Sequence, residues 1–455
     1  MASTVVVLAK DYRPLGSLAN HSRLGVGRLL QSWRPWTFMP VLKSIDANAV
    51  LASPQPARAA GSFPWGFALI MGALAALGPF SVDTYFPSFP AIASHFGVSQ
   101  LQVQSTLSLY LTALALMSLF HGALSDSFGR RRVILVSLVV YTLMALACPL
   151  APSFGWLLGF RFVQGLAGGA GMIVGRAIIR DRFHGPTAHR FMAQVTLVSG
   201  FAPAIAPVLG GWLHVWFGWR GPFMFLSLMG TVILLACFFM LPESLPRESR
   251  QAFHPAPLTE GYWSLVRHPG FVALCLAVGL GGGGFLLYVA TAPDMVLNVL
   301  SLSETQFAWL FAPLVVGLLS GSALTTRLAG RVPIRRVAAW GYGLMSLAVA
   351  LNVLGNLVFR PRVPWAVAPL FIYTLGFSLF APIGTLLALE LFPHRRGMAS
   401  SLQGFVQIIL FAAISAFVAP VVYASGLKHA LAMAVMLVLN CLAWRFFRLR
   451  HELRL

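Results

Sequence analysis

Pro222-Phe-Met-Phe-Leu-Ser-Leu-Met-Gly-Thr-Val-Ile-Leu-Leu-Ala-Cys-Phe-Phe-Met240-Leu241 is a run without one charged side chain. At about 1.5 Å per helical residue it matches the roughly 30 Å hydrocarbon thickness of a bilayer. Both flanks repeat the pattern. Segments of the same character fall at 64–86, 101–123, 133–151, 155–178, 191–213, 269–292, 306–326, 337–358, 364–391, 399–421 and 427–447. Lipid offers no partners to backbone N–H and C=O groups, so each segment must satisfy its own, which dictates helices. The expected fold is an all-α polytopic membrane protein with twelve transmembrane helices, called here spans 1 to 12.

Only 10% of the 455 residues are charged and 58% are hydrophobic, yet the net charge is +20. In a soluble protein that balance would point to nucleic acid. Here the arginines crowd into alternate loops, so the partner is the bilayer and no nucleic acid is expected. Arg130, Arg131 and Arg132 follow span 2, Arg180, Arg182 and Arg190 follow span 4, and Arg247, Arg250 and Arg267 follow span 6. Arg327, Arg331, Arg335 and Arg336 surround the turn after span 8, and Arg395 and Arg396 follow span 10. The other loops carry only Arg220, Arg360, Arg362 and Lys428. The positive-inside rule then puts both termini in the cytoplasm. Arginine far outnumbers lysine, a GC-rich bacterial bias, and the expected location is a bacterial inner membrane.

The one long internal connection, 242–268, is rich in Pro, Arg, Ser and His and divides six spans from six. The expected organisation is an N-terminal extension 1–62, a six-helix bundle 63–241, a cytoplasmic linker 242–268, a second six-helix bundle 269–447 and a tail 448–455. The extension lacks the cationic and apolar regions of a signal peptide. The two halves echo each other: Gly122-Ala-Leu-Ser-Asp-Ser-Phe-Gly-Arg130 after span 2 is answered by Ser322-Ala-Leu-Thr-Thr-Arg-Leu-Ala-Gly-Arg331 after span 8. A duplicated unit places a substrate site at mid-membrane between the halves and moves by rocking.

Gly122-Ala-Leu-Ser-Asp126-Ser-Phe-Gly129-Arg130-Arg131-Arg132 resembles the loop signature of the major facilitator superfamily, G-x-L-x-D-x-x-G-R-[RK]-x. Gly122 is expected to let helices approach, Gly129 to permit a tight turn, and Asp126 to pair with arginines or a helix N-terminus. In the second half Thr325 or Thr326 stands where the acid should be. Span 1 ends Asp83-Thr-Tyr85-Phe-Pro87-Ser-Phe-Pro90, similar to the D-x-Y-L-P-A-L-P of twelve-span drug:proton antiporters of the bicyclomycin and chloramphenicol resistance branch (Bcr/CflA). Span 4 carries Arg161-Phe-Val-Gln164-Gly165, similar to the R-x-x-Q-G of the superfamily. Span 5 carries Gly200-Phe-Ala-Pro203-Ala-Ile-Ala-Pro207-Val-Leu-Gly210-Gly211, which resembles the antiporter motif except at Ala206, where glycine is usual. The segment 391–402 also resembles the loop between spans 10 and 11 of this branch.

The resemblance implies export of small amphipathic drugs or antibiotics against protons, with no cofactor beyond the proton gradient and a monomer as the working unit. The competing reading is a metabolite/proton symporter of the same superfamily. The resemblance also implies a cytoplasmic gating cluster of Asp126, Arg130 and Asp181 with Arg176, and a span 5 that limits leak.

Charge inside a bilayer costs a few kcal/mol or more unless paired or solvated, and so points to function. Asp83 lies about 28 Å along span 1, and Arg161 about 9 Å from the opposite start of span 4, so both fall in one half of the membrane. They are expected to pair, with Asp83 the proton-coupling acid and Arg161 its partner. Asp294 and Glu390 fall at span ends and are expected to face water or headgroups. Gly165, Gly168, Gly169, Gly171 and Gly175 leave one face of span 4 nearly bare for close packing. Pro203 and Pro207 remove backbone donors from span 5 and are expected to bend it, while Gly210 and Gly211 let it pack tightly. Tyr85, Tyr110, Gln164 and Tyr288 are candidates for the substrate cavity, since a polar group inside a span seeks a partner. The four cysteines lack metal or disulfide spacing and are expected to pack as small apolar groups. No H-E-x-x-H, phosphate loop or acid/base cluster supports an enzyme, and no metal site is expected.

Overall fold

The computed structural model describes residues 65–251 and 254–450. The expected extension 1–62 and the end of the tail, 451–455, lie outside the described residues. No strand occurs among those described. Eleven helical segments are long and apolar enough to cross a membrane, and one, Arg190–Met240, has 51 residues. At about 1.5 Å per residue that far exceeds one crossing. It is two: helix Gly185–Phe217 stops at Gly218, whose φ is +65°, and a tight turn Gly218–Arg220 leads into helix Gly221–Met240. Twelve crossings result among the described residues.

Several limits differ from those expected. Span 1 is helix Trp65–Asp83 followed by a tight turn Phe86–Ser88 and a second helix, Phe89–Phe96. Pro87 and Pro90 each stand in the first turn of a new piece, where no N–H is needed. Span 2, Gln100–Phe128, opens on a capping box in which Ser99 Oγ accepts the Gln102 N–H while Gln102 Oε1 accepts the Ser99 N–H. It continues to Phe128, so most of the expected loop signature is helical. Gly129 alone separates it from span 3, Arg130–Ala147. Span 4 is split at Gly169 into Phe154–Gly168 and Ala170–Arg182. The linker contains an unexpected helix, Pro255–Val266.

Spans 7 to 10 are Pro269–Ala290, Ala308–Leu328, Ile334–Val358 and Ala368–Glu390. Span 11, Arg396–Ala413, runs into a π-helical turn Ile414–Val418, and span 12 is Gly426–Arg450. A second π-helical turn, Asp294–Val299, follows span 7.

Spans 1 to 6 pack among themselves, as do 7 to 12, and the halves meet along spans 2 and 11 and spans 5 and 8. The bare face of span 4 is used as expected. A Cβ at Gly165 would sit 2.3 Å from the Tyr110 carbonyl of span 2, and one at Gly171 2.6 Å from the Leu74 carbonyl of span 1. In a bilayer such contact replaces the hydrophobic drive that lipid removes. The outer faces expose large apolar side chains, Phe239, Leu150 and Phe417 among them. All four cysteines are free thiols, three of them buried.

Candidate functional site

Arg161 is 0% exposed, deep in the first half. Its guanidinium donates to Gln164 Oε1 at 2.6 Å and to the Ser81 carbonyl at 3.0 Å. The Tyr85 and Tyr110 ring centroids lie 4.5 and 4.4 Å from its Cζ. A desolvated cation over an aromatic face gains about 2 kcal/mol per ring, so the two rings do much of what a carboxylate would. Tyr85 Oη in turn meets Thr106 Oγ1 at 3.0 Å.

The expected ion pair with Asp83 is not formed. Asp83 is 3% exposed and its Oδ1 has no hydrogen-bond partner, while Arg161 makes no ion pair within 4.0 Å among the described residues. Arg161 takes the Ser81 backbone carbonyl and the Tyr85 ring, which lies beyond the end of the helix, and Asp83 between them contributes none of its contacts. Depth along a helix was matched, but azimuth was not.

Tyr85, Tyr110, Gln164 and Tyr288 are all fully buried, and none lines the cavity between the halves described below. The first three build the Arg161 cage. Tyr288 lies in the second half, where its Oη accepts from Asn352 at 2.6 Å.

At the end of the spans away from the arginine-rich loops, the halves are tied together. Gln104 Nε2 of span 2 donates to the Ala290 carbonyl at 2.6 Å and to Ser415 Oγ at 2.8 Å, and Ser108 Oγ reaches Ser415 Oγ at 2.9 Å. Tyr423 Oη donates to Gln100 Oε1 at 2.6 Å. Asp294, expected to face water, is 4% exposed and accepts from Asn298 Nδ2 and from the Ala424 N–H. His214 of span 5 meets Glu304 of the second half at 3.4 Å and Ser88 at 3.0 Å. The glycine pair beside it is sterically required: a Cβ at Gly210 would lie 1.8 Å from the Thr84 carbonyl, and one at Gly211 2.2 Å from the Glu304 carbonyl. Span 5 remains one helix through Pro203 and Pro207, and Gly200 faces Leu319 of span 8.

The arginine-rich end carries the charge cluster. Arg130 is buried, with Asp126 paired to its Nη1, Asp181 Oδ2 3.0 Å from its Nε and Ser125 Oγ 2.6 Å from its Nη1. Gly129 sits at φ +98°, so its turn demands glycine. Glu243, which the sequence did not single out, accepts the backbone N–H groups of Arg130 at 2.9 Å and Arg131 at 3.3 Å. Arg131 Nη2 donates to the Phe238 carbonyl, and Arg132 is exposed. Gly122 does not serve close approach as expected: a Cβ there meets nothing within 4 Å, because it lines a cavity of about 840 Å³. Asp126, Arg180, Tyr262 of the linker helix and Met398 of span 11 line the same cavity. In the second half Thr325 Oγ1 spends its bond on the Gly321 and Ser378 carbonyls, and no carboxylate replaces it.

Residues 68–416 match the sequence model of the Major Facilitator Superfamily. The chain belongs to that superfamily. The Bacillus subtilis protein "Uncharacterized MFS-type transporter YdgK" is 30% identical over 77% of this chain and 88% of its own length. The "Bicyclomycin resistance protein homolog" of Haemophilus influenzae is 29% identical over 85% of this chain and 96% of its own. "Multidrug resistance protein MdtL" of Escherichia coli is 25% identical over 75% of this chain and 85% of its own. In fold, a bacterial homologue of the human lysosomal transporter Spinster, solved inward-facing, superposes with a TM-score of 0.65 at 17% identity, covering 86% of this chain and 97% of that one. A member of that superfamily is a membrane transporter of small molecules, not an enzyme.

Proposed function

We propose that this transporter exports small amphipathic compounds, antibiotics among them, in exchange for protons, as a monomer in the bacterial inner membrane. The arginine-rich end and both termini are cytoplasmic in this reading. The halves 63–241 and 269–447 rock about the linker 242–268. The carrying observation is the asymmetry of the interface. Gln104, Ser108, Ser415, Gln100 and Tyr423 tie the outer end, while the 840 Å³ cavity occupies the inner one. Drug thus enters from the cytoplasm.

Asp83 is the coupling acid. A carboxylate with an unpartnered oxygen and no cation beside it would be an uncompensated buried charge, costing several kcal/mol, so this arrangement suits the proton-loaded acid. Losing the proton must then accompany a change of surroundings. The motif at Gly200–Gly211 and the resistance names of two relatives favour export over symport. Everted vesicles expressing the protein should release protons from the lumen when drug is added, and Asp83→Asn should abolish that while inserting normally. Drug and proton moving together would establish the symporter instead, and full coupling in Asp83→Asn would remove Asp83 from the role.

A further inference from the structure

Asp294 stands in the π-helical turn after span 7, 4% exposed, and the export cycle described above makes no use of it. Both of its oxygens are met by donors. Oδ1 accepts from Asn298 Nδ2 at 2.9 Å and Oδ2 from the Ala424 N–H at 2.8 Å. Only an ionised carboxylate presents a free acceptor on each oxygen, whereas a carboxylic acid carries a hydrogen on one of them. No lysine or arginine pairs with it within 4.0 Å among the described residues. From this carboxylate a row of hydrogen bonds leads to the other half. Asn298 Nδ2 also donates to Tyr423 Oη at 3.1 Å, and that phenol donates to Gln100 Oε1 of span 2 at 2.6 Å. Ala424, next to Tyr423, is held at φ +56°, a left-handed conformation that alanine keeps only where its surroundings impose it.

A cavity of about 10 Å³, room for about one water, lies between the halves beside this carboxylate, lined by Gln100 and Gln104 of span 2 and by Thr291, Asp294 and Tyr423. It brings a proton within reach of the acid at the seam itself. The titratable groups that face Asp294 are Tyr423 and His429 of span 12. His429 is fully buried, and its two ring nitrogens are taken by the Ser425 carbonyl at 2.8 Å and Thr291 Oγ1 at 2.9 Å, with the Tyr288 ring 5.5 Å away. His214 and Glu304 form the other titratable contact between the halves at this end. We propose that Asp294 is a second proton-binding site, which takes a proton from the outer side and thereby releases Tyr423 from Gln100. While the acid is ionised it holds both Asn298 and the Ala424 turn, and the latch is whole. As pH falls the added hydrogen displaces one donor, the turn relaxes and the phenol loses its orientation. The proton returns to the side it came from, so the site sets how readily the outer end opens and not how many protons cross. Placing this end outside rests on the reading above, whereas the latch and its test do not.

The test measures spin-label distances between the loop joining spans 1 and 2 and the loop joining spans 7 and 8, on the full chain in phosphatidylcholine nanodiscs. The background carries Asp83→Asn and Glu304→Gln, which silence the buried acid of span 1 and the His214 contact. Distances are read without substrate, so the outcome is separate from whether drug is exported. Acidifying this background should lengthen the distance. Adding Asp294→Asn should lengthen it already at neutral pH, with the closed population falling roughly fivefold or more, and should leave no further response to acid. Tyr423→Phe keeps the acid but removes the bond to Gln100, so it too should open this end at neutral pH and blunt the response. His429→Gln should keep the response. A background that ignores acid, or a full response that survives Asp294→Asn or Tyr423→Phe, overturns the site. Loss of the response in His429→Gln also overturns it, by moving the proton to the histidine.

Discussion

Gln104 of span 2 holds the second half at two points at once, the Ala290 carbonyl and Ser415 Oγ. Both acceptors sit where regular α geometry is disturbed, Ser415 inside the π-helical turn Ile414–Val418 and Ala290 shortly before the turn Asp294–Val299. Such turns leave carbonyls without their usual partners, which a side chain from outside can use. Gln104→Leu keeps the volume and removes both bonds. The buried Ala290 carbonyl left unsatisfied costs about 1–3 kcal/mol, while Ser415 Oγ keeps its bond from Ser108, and the cost falls only on the state that is closed at this end. The closed population should therefore fall by roughly tenfold or more. Spin-label distances between the loop joining spans 1 and 2 and the loop joining spans 7 and 8 should lengthen. An unchanged distribution would show that Gln104 is not a latch.

Gly210 and Gly211 are neighbours in sequence but meet different elements, Gly210 the Thr84 backbone within the first half and Gly211 the Glu304 backbone of the second. Alanine at Gly210 must displace backbone inside a bundle, where overpacking costs about 1–3 kcal/mol. Alanine at Gly211 meets backbone that separates whenever this end opens. Gly210→Ala should lower the melting temperature of the purified transporter. Gly211→Ala should leave melting nearly intact and favour the state open at this end. Equal melting losses for the two would refute the assignment of Gly211 to a moving contact.

The crossings are legible in the sequence because hydrocarbon length and the absence of charge are properties of composition. Gly129 is legible too, since an arginine run after a glycine marks a turn that only glycine makes easily. The end of span 1 is not. Span 1 is expected to end near residue 86, yet Pro87 and Pro90 stand at starts of new helical pieces where a missing N–H costs nothing. Asp83 and Arg161 illustrate a deeper limit. Hydropathy fixes depth in the membrane, but which way each side chain points depends on helix rotation, and rotation is set by packing partners such as Tyr85 and Tyr110. Asp294 fails for a related reason: a span end reads as solvent, but its carboxylate is covered by the Ala424 turn, 130 residues away in sequence.

Arg161 holds three elements together: the Ser81 carbonyl of span 1, the Tyr110 ring of span 2 and Gln164 of its own span 4. Lysine keeps the charge but not the planar fork that meets a carbonyl, an amide and two rings together. Arg161→Lys should insert and fold, yet lose transport by tenfold or more, with a melting loss of about 1–3 kcal/mol from groups left unpaired. If the arginine were only a counter-ion to Asp83, lysine would serve nearly as well. Near-normal transport in Arg161→Lys would thus favour a simple charge role and discard the cage.

Glu243 and Arg130 meet without their side chains touching. The carboxylate takes the Arg130 and Arg131 backbone N–H groups at the start of span 3, whereas the Arg130 guanidinium goes to Asp126, Asp181 and Ser125. Glu243 is therefore a helix cap brought from just beyond the end of the neighbouring span 6, with the favourable sign for a helix N-terminus and worth about 1 kcal/mol. Arg130 is the hub of a charge network. The two roles predict different couplings. Glu243→Gln and Arg130→Ala should add in unfolding free energy to within about 0.5 kcal/mol, because neither change removes the other's bonds. Asp181→Asn and Arg130→Ala should fall well short of additive, since both delete the same ion pair. Chemical denaturation of the three single and two double variants in detergent measures both cycles. A strong coupling between Glu243 and Arg130 would place Glu243 inside the charge network and make the linker's first turn part of the gate itself.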